Sequence, residues 1–287
     1  MIPKYNIWMV IFISAFGYIQ EVFIDNMNLL RSVPPHAQSA VINKLNTFLL
    51  TNLGRVADSP FENHWNEIFS DMNRKSNLKR LELEGVDISK VSPHNFSKAV
   101  IKLEELILVE CKLTQLQVQQ MFQLISSGKI NLKFLRMETF SPSFDFDFSV
   151  VDPDTLAKAL NKLESVEIDQ LINRMLKLQM NKLFTQMNDA THLKKLDVGV
   201  GDVTSIDPTT LALAVNKLTE VSLNKAKITH EQRRAILRET LVKTSLTKLS
   251  LHNFHAEDFM EEDELLISEV RKKIKLSLYE CDCWMSQ

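Results

Sequence analysis

The stretches LAKALNKLESVEI (Leu156–Ile168) and LALAVNKLTEVSL (Leu211–Leu223) are two copies of one phrase, and SAVINKLNTFLL (Ser39–Leu50) and SKAVIKLEELIL (Ser97–Leu108) carry it as well. The leucines that close the NKL or IKL part are Leu45, Leu103, Leu163 and Leu218, so the phrase recurs at steps of 58, 60 and 55 residues. Between these copies runs a second phrase: LKRLEL (Leu78–Leu83), LKFLRM (Leu132–Met137), LKKLDV (Leu193–Val198) and LTKLSL (Leu246–Leu251), with IQEVFI (Ile19–Ile24) ahead of them. Its central residues Val22, Leu81, Leu135, Leu196 and Leu249 are 59, 54, 61 and 53 residues apart. Both phrases fit LxxLxL, so the chain alternates two versions of one unit of roughly 28 residues. A further NKL at Asn181–Leu183 falls out of phase, inside a helical pattern, and belongs to neither series.

Each LxL reads as a short strand, since alternation puts both apolar residues on one face. The expected strands lie near 22–24, 48–50, 81–83, 106–108, 135–137, 166–168, 196–198, 221–223 and 249–251, with IKLSL (Ile274–Leu278) as a tenth. Helices are expected between them. Ser92-Pro93, Asp152-Pro153 and Asp207-Pro208 place an N-cap acceptor before a proline that has no N–H to leave unsatisfied. Ser59-x-x-Glu62, Thr114-x-x-Gln117 and Thr229-x-x-Gln232 are capping-box patterns. Apolar residues such as Phe96, Val100 and Leu103, or Leu156, Leu160 and Leu163, give each helix one face to bury. A unit this small cannot cover that face alone, whereas stacking on neighbours can.

The alternation of two helical units resembles the ribonuclease-inhibitor-like class of leucine-rich repeat proteins, found also as the sensor region of NOD-like receptors. The resemblance spans about residues 19–278 and implies an α/β leucine-rich repeat solenoid, a horseshoe with a parallel sheet on its concave face and helices on its convex face. Residues 1–287 then form one repeat domain with about ten repeats of two types. That family places Asn or Cys three residues after the last strand leucine. Cys111 fits, whereas Val86, Phe140, Gly201 and Ala226 depart from the pattern. The apolar segment within residues 1–18 reads either as a truncated first helix capping the array or as a signal peptide ending near Gly17.

Composition excludes some functions. With 45% hydrophobic residues, 24% charged residues and a net charge of −2, the chain gives no reason to expect nucleic acid as a partner, since phosphate binding needs a clustered cationic surface. Three cysteines (Cys111, Cys281 and Cys283) make no disulfide framework, so a cytoplasmic location is the default, with secretion the alternative if residues 1–17 are a signal peptide. The N-terminal run is too short and interrupted for a membrane span. GVGDV (Gly199–Val203) lacks the glycine-lysine sequel of a phosphate loop and reads as a repeat turn. His252 and His255 with Cys281 and Cys283 match no zinc-finger spacing, so no metal and no cofactor is expected. The sequon Asn95-Phe96-Ser97 follows a helix cap around a core phenylalanine, where no glycan is expected. No catalytic constellation stands out, and none is assigned.

The remaining feature is surface. Residues between the strand leucines face away from the helices, and in the first repeats they are Phe23, Leu49 and Ile107, with Phe134 adjacent and Glu82 and Glu105 beside them. Aligned apolar side chains on an open sheet suggest a site for a protein ligand. SFDFDF (Ser143–Phe148) lies in an interval about six residues longer than its counterparts. Alternation puts Phe144, Phe146 and Phe148 on one side of that run, either folded back over the array or offered to a partner. The chain is therefore expected to be a protein-interaction module. The resemblance implies immune-type recognition or regulation, and the alternatives are a secreted recognition protein or an enzyme-associated subunit with a site on its loops.

Overall fold

An extended chain alternates its side chains, so a segment such as Leu81-Glu82-Leu83 buries two leucines and turns the glutamate outward. All ten LxL segments form strands on this basis. The computed structural model describes residues 21–24, 34–51, 62–74, 76–128, 130–138, 148–168, 175, 177–198, 201–223, 226–254 and 261–280. The chain divides into two compact units, residues 1–147 and 148–287.

In the first unit the strands are β1 (Glu21–Ile24), β2 (Thr47–Thr51), β3 (Arg80–Glu84), β4 (Glu105–Val109) and β5 (Phe134–Glu138). They alternate with helices α1 (Pro35–Ile42), α2 (Glu62–Arg74), α3 (Pro93–Val100) and α4 (Gln115–Ser127). The strands pair in chain order, all parallel and in unbroken register. The second unit opens on a 3-10 turn, Phe148–Val150, and carries β6 (Ser165–Ile168), β7 (Lys195–Asp197), β8 (Gly201–Asp202), β9 (Glu220–Leu223), β10 (Ala226–Lys227), β11 (Lys248–Phe254) and β12 (Lys275–Glu280). Its helices are α5 (Pro153–Lys162), α6 (Lys177–Asp189), α7 (Pro208–Lys217), α8 (His230–Val242) and α9 (Glu261–Lys273). The main ladder runs β6-β7-β9-β11-β12, again parallel, while β8 and β10 form a small ladder of their own. Within each unit successive helices pack on one another, so the chain is an α/β solenoid with a layer of helices against a parallel sheet.

The core lies between those layers. Phe48, Leu81, Leu83, Leu106, Leu108, Leu135 and Met137 are at most 1% exposed, and Leu45, Leu103, Leu163 and Leu218 of the recurring phrase are equally buried. In the first unit an aromatic row, Trp65, Phe69 and Phe96, fills the helix layer, with Phe69 and Phe96 ring centres 5.5 Å apart.

The rest of the NKL phrase ties neighbouring helices together. Asn216 Nδ2 donates to Ala212 O (2.9 Å) on its own helix and to Ile236 O (3.1 Å) on the next. Asn43 does the same with Ser39 O (3.0 Å) and Ile68 O (3.5 Å), and Asn161 keeps the local bond to Ala157 O (3.0 Å). The lysine reaches the other way. Lys102 Nζ donates to Met72 O and Asn73 O at the end of α2, and Lys217 Nζ donates to Asn188 O at the end of α6. Lys273 repeats this on Leu241 O of α8, which makes Lys273-Ile274 a fifth copy of the phrase. A cation at a helix C-terminus satisfies orphan carbonyls and suits the helix dipole.

Helix starts match the sequence with one correction. Asp152 and Asp207 accept from Thr155 N (2.9 Å) and Thr210 N (2.8 Å), and Thr114/Gln117 and Thr229/Gln232 close full capping boxes. Ser92 precedes Pro93 at the helix start but makes no side-chain cap. Ser59 lies outside the described residues. The family's Asn/Cys position is filled by Cys111, whose Sγ donates to Leu83 O (3.2 Å), and burial pushes its thiol up to about 12. At Val86 and Ala226 that position is simply apolar and buried.

Several carboxylates are held below their ordinary range. Burial works against Asp87, but Ser89 Oγ (2.6 Å), Ser89 N (2.9 Å) and Lys112 Nζ (3.0 Å) outweigh it. Hydrogen bonds from Thr155 do the same for Asp152, and those from Thr204 for Asp202. A carboxylate depressed in the folded state stabilises above its unfolded value of about 4, and that contribution is lost as pH falls through the folded value. Asp87→Asn is therefore expected to lose less melting temperature than wild type between neutral pH and about pH 3. Parallel pH curves for the two proteins would remove Asp87 from the account.

Candidate functional site

The sheet face turned away from the helices is a grid set by strand register. In the first unit its central column is Phe23, Leu49, Glu82, Ile107 and Arg136, and the flanking column is Glu21, Thr47, Arg80, Glu105 and Phe134. The candidate residues thus share a face, but they do not form one apolar patch. Glu82 stands between Leu49 and Ile107 in the register. Phe23 is 63% exposed and Leu49 beside it is half-buried, whereas Ile107, flanked by Glu82 and Arg136, is only 4% exposed. Phe134 is half-buried on the far strand.

Arg80 organises the middle of this face. It donates from Nη1 to Glu105 Oε2 and from Nη2 to Glu82 Oε2, both at 3.0 Å. The Glu82 hydrogen bond does most to raise the guanidinium above its ordinary value, against the opposing pull of burial. Arg136 Nε donates to Glu138 Oε1 at 2.8 Å, and Thr51 Oγ1 to Glu84 Oε2 at 3.2 Å. Glu82 and Glu105 are therefore partly neutralised, and the face reads as an apolar corner, Phe23 and Leu49, beside a charge-balanced strip. Arg80 was not among the sequence candidates. Its signal was there: opposite charges at one phase on adjacent strands.

The aromatic run resolves differently. Phe144 and Phe146 lie outside the described residues, as do the N-terminal segment, His255, Cys281 and Cys283. Phe148 is fully buried in the 3-10 turn, and its carbonyl accepts from Gln179 Nε2 at 2.7 Å, so this residue belongs to the core. Gly201 and Asp202 of the GVGDV stretch form β8, with Asp202 accepting from Thr204, as a repeat turn does. The sequon is wound into α3, where Asn95 Oδ1 accepts from Asn73 Nδ2 and Ser97 Oγ donates to Pro93 O.

On the same face of the second unit, Glu167, Lys195, Asp197, Glu220, Ser222 and Lys248 line a shallow open depression. Lys195 and Glu220 pair at 2.8 Å, and that hydrogen bond lowers the Glu220 carboxyl below its usual range. Among the described residues no three potential metal ligands cluster, and no helix is long and apolar enough to cross a membrane. No family model matches the chain, and no curated protein matches it.

Proposed function

We propose that the chain is a protein-interaction module that takes a protein ligand on the open sheet face of its first unit, in the manner of the ribonuclease-inhibitor-like leucine-rich repeats it resembles. The observation that supports this is the exposed corner: Phe23 is 63% exposed and stands in register beside Leu49, next to the Arg80 ion-pair strip. An aromatic anchor with a polar rim is the arrangement that concentrates binding energy at protein interfaces. The role is recognition or regulation without chemistry of its own.

The test is a variant with Phe23→Ser and Leu49→Ser together. Affinity for captured partners is expected to fall at least about tenfold, of the order that losing apolar anchors produces. The melting temperature is expected to stay close to wild type, because both side chains face away from the core. Ile107 is a poor choice for the same test, since its burial couples binding to folding. Unchanged capture by the double variant would remove this corner as the site.

A further inference from the structure

The flanking column of the sheet obeys a rule that fails at both ends of the strand order. In the interior, charges are met across the ladder: Arg80 by Glu105 at 3.0 Å and Lys195 by Glu220 at 2.8 Å, with Lys248 on the other side of Glu220. On β12, Lys275 is placed beside Lys248, both exposed; Lys248 has Glu220 on its other side, whereas Lys275 has no ion-pair partner among the described residues. Like charges on adjacent strands, about 4.8 Å apart, repel. On β1, Glu21 is exposed and has only Thr47 beside it in register. β1 is first and β12 last in the strand order, so among the described residues each has an edge with no strand beside it. Their inward-phase residues are also less covered. Val22, Leu276 and Leu278 are half-buried, where Phe48, Leu249 and Leu251 are 1% exposed or less.

We propose that β12 of one copy pairs in parallel with β1 of a second copy. The register is the one the chain uses internally, which sets Lys275 beside Glu21, Leu276 beside Val22, Ser277 beside Phe23 and Leu278 beside Ile24. This puts an anion next to the Lys248/Lys275 pair, gives both strand edges their hydrogen-bond partners, and lays the bulky Phe23 beside a small serine. The contact is heterologous, so a pair of copies still offers one β1 edge and one β12 edge, and further copies add until the assembly closes on itself or continues as an open chain. It is also weak. On α9, Ser268, Arg271 and Lys272 are exposed at the positions where Ala212, Val215 and Asn216 of α7 are buried against α8, so the helix layer adds no packing at the junction.

The experiment is sedimentation of the full chain over a wide concentration range. Wild type is expected to gain average mass with concentration, and to lose that gain at high salt. Glu21→Lys alone and Lys275→Glu alone each bring like charges together and are expected to weaken association about tenfold or more. Mixing the two single variants restores complementary junctions, and association is expected to return to the wild-type level. Both substitutions are at exposed positions, so matched melting temperatures check that folding is intact. A wild type of constant monomeric mass would overturn the proposal. So would association that both reversals leave unchanged, or a mixture that associates no better than either variant alone.

Discussion

Leu196→Asp is expected to unfold the second unit rather than weaken one contact. Leu196 is 2% exposed at the centre of β7, between Val166 and Val221 in register, with its side chain turned toward the helices. Removing it forfeits about 1.5–3 kcal/mol of apolar burial. A carboxylate in its place would stand in register between the buried Val166 and Val221, and a charge left unpaired there costs several kcal/mol more. The sum is comparable to the whole stability of an ordinary domain, about 5–15 kcal/mol. Leu196→Met keeps volume and polarity and is expected to cost less than about 1.5 kcal/mol. Thermal melts by circular dichroism compare the two. A Leu196→Asp protein that melts with wild type would mean that the strand phase is misassigned.

That experiment probes the part of the structure that was most readable from sequence. Alternation with period two is a strong signal in a sheet buried on one side, because a shift of one residue would expose every leucine. The strands are accordingly where LxL occurs, including β12 at the weakest copy. Phase also identified which residues share the open face. It did not identify how exposed they are, since exposure depends on the length of the neighbours. Ile107 has the right phase and is buried, while Phe23 at the strand-order end is the most open of the set. Of the run Ser143–Phe148 only Phe148 is described, and its burial agrees with the folded-back alternative, although not through the alternation that suggested it. Alternation presumes an extended backbone, and Phe148 instead starts a 3-10 turn that carries it into the core. The recurrence of NKL was obvious, but the separate tasks of its asparagine and lysine were not. Both act across to helices some 20 to 30 residues away in sequence.

The same limit applies to the capping-box glutamines, and it leads to the second large effect expected. By the sequence rule Gln and Glu are interchangeable at the third helical position, since either can accept from the N-cap backbone. Gln232 does accept there, from Thr229 N at 2.9 Å. Its other end faces inward: Nε2 donates to Val203 O (2.8 Å) and Ile206 O (2.6 Å) of the preceding turn, and the residue is 1% exposed. Gln117 holds Ile88 O and Val91 O in the same way, and Gln179 holds Phe148 O and Val151 O. This glutamine series satisfies turn carbonyls in units where the family's asparagine is missing. Gln232→Glu keeps the shape and the cap but replaces two donated hydrogens by negative charge against two carbonyl oxygens. The expected loss is about 3–5 kcal/mol at neutral pH, the size seen when a buried charge is left uncompensated. Its pH dependence runs opposite to that of Asp87. The new carboxyl has a folded-state pKa raised above its unfolded value of about 4.3, so the folded protein binds the proton more tightly. The penalty is therefore full above the raised value and shrinks as pH falls toward about 4, where the protonated oxygen donates again. Melting curves of wild type and variant across that range are expected to converge on acidification. Equal stability at neutral pH, or a gap that widens in acid, would show that the inward end of Gln232 does not carry the turn.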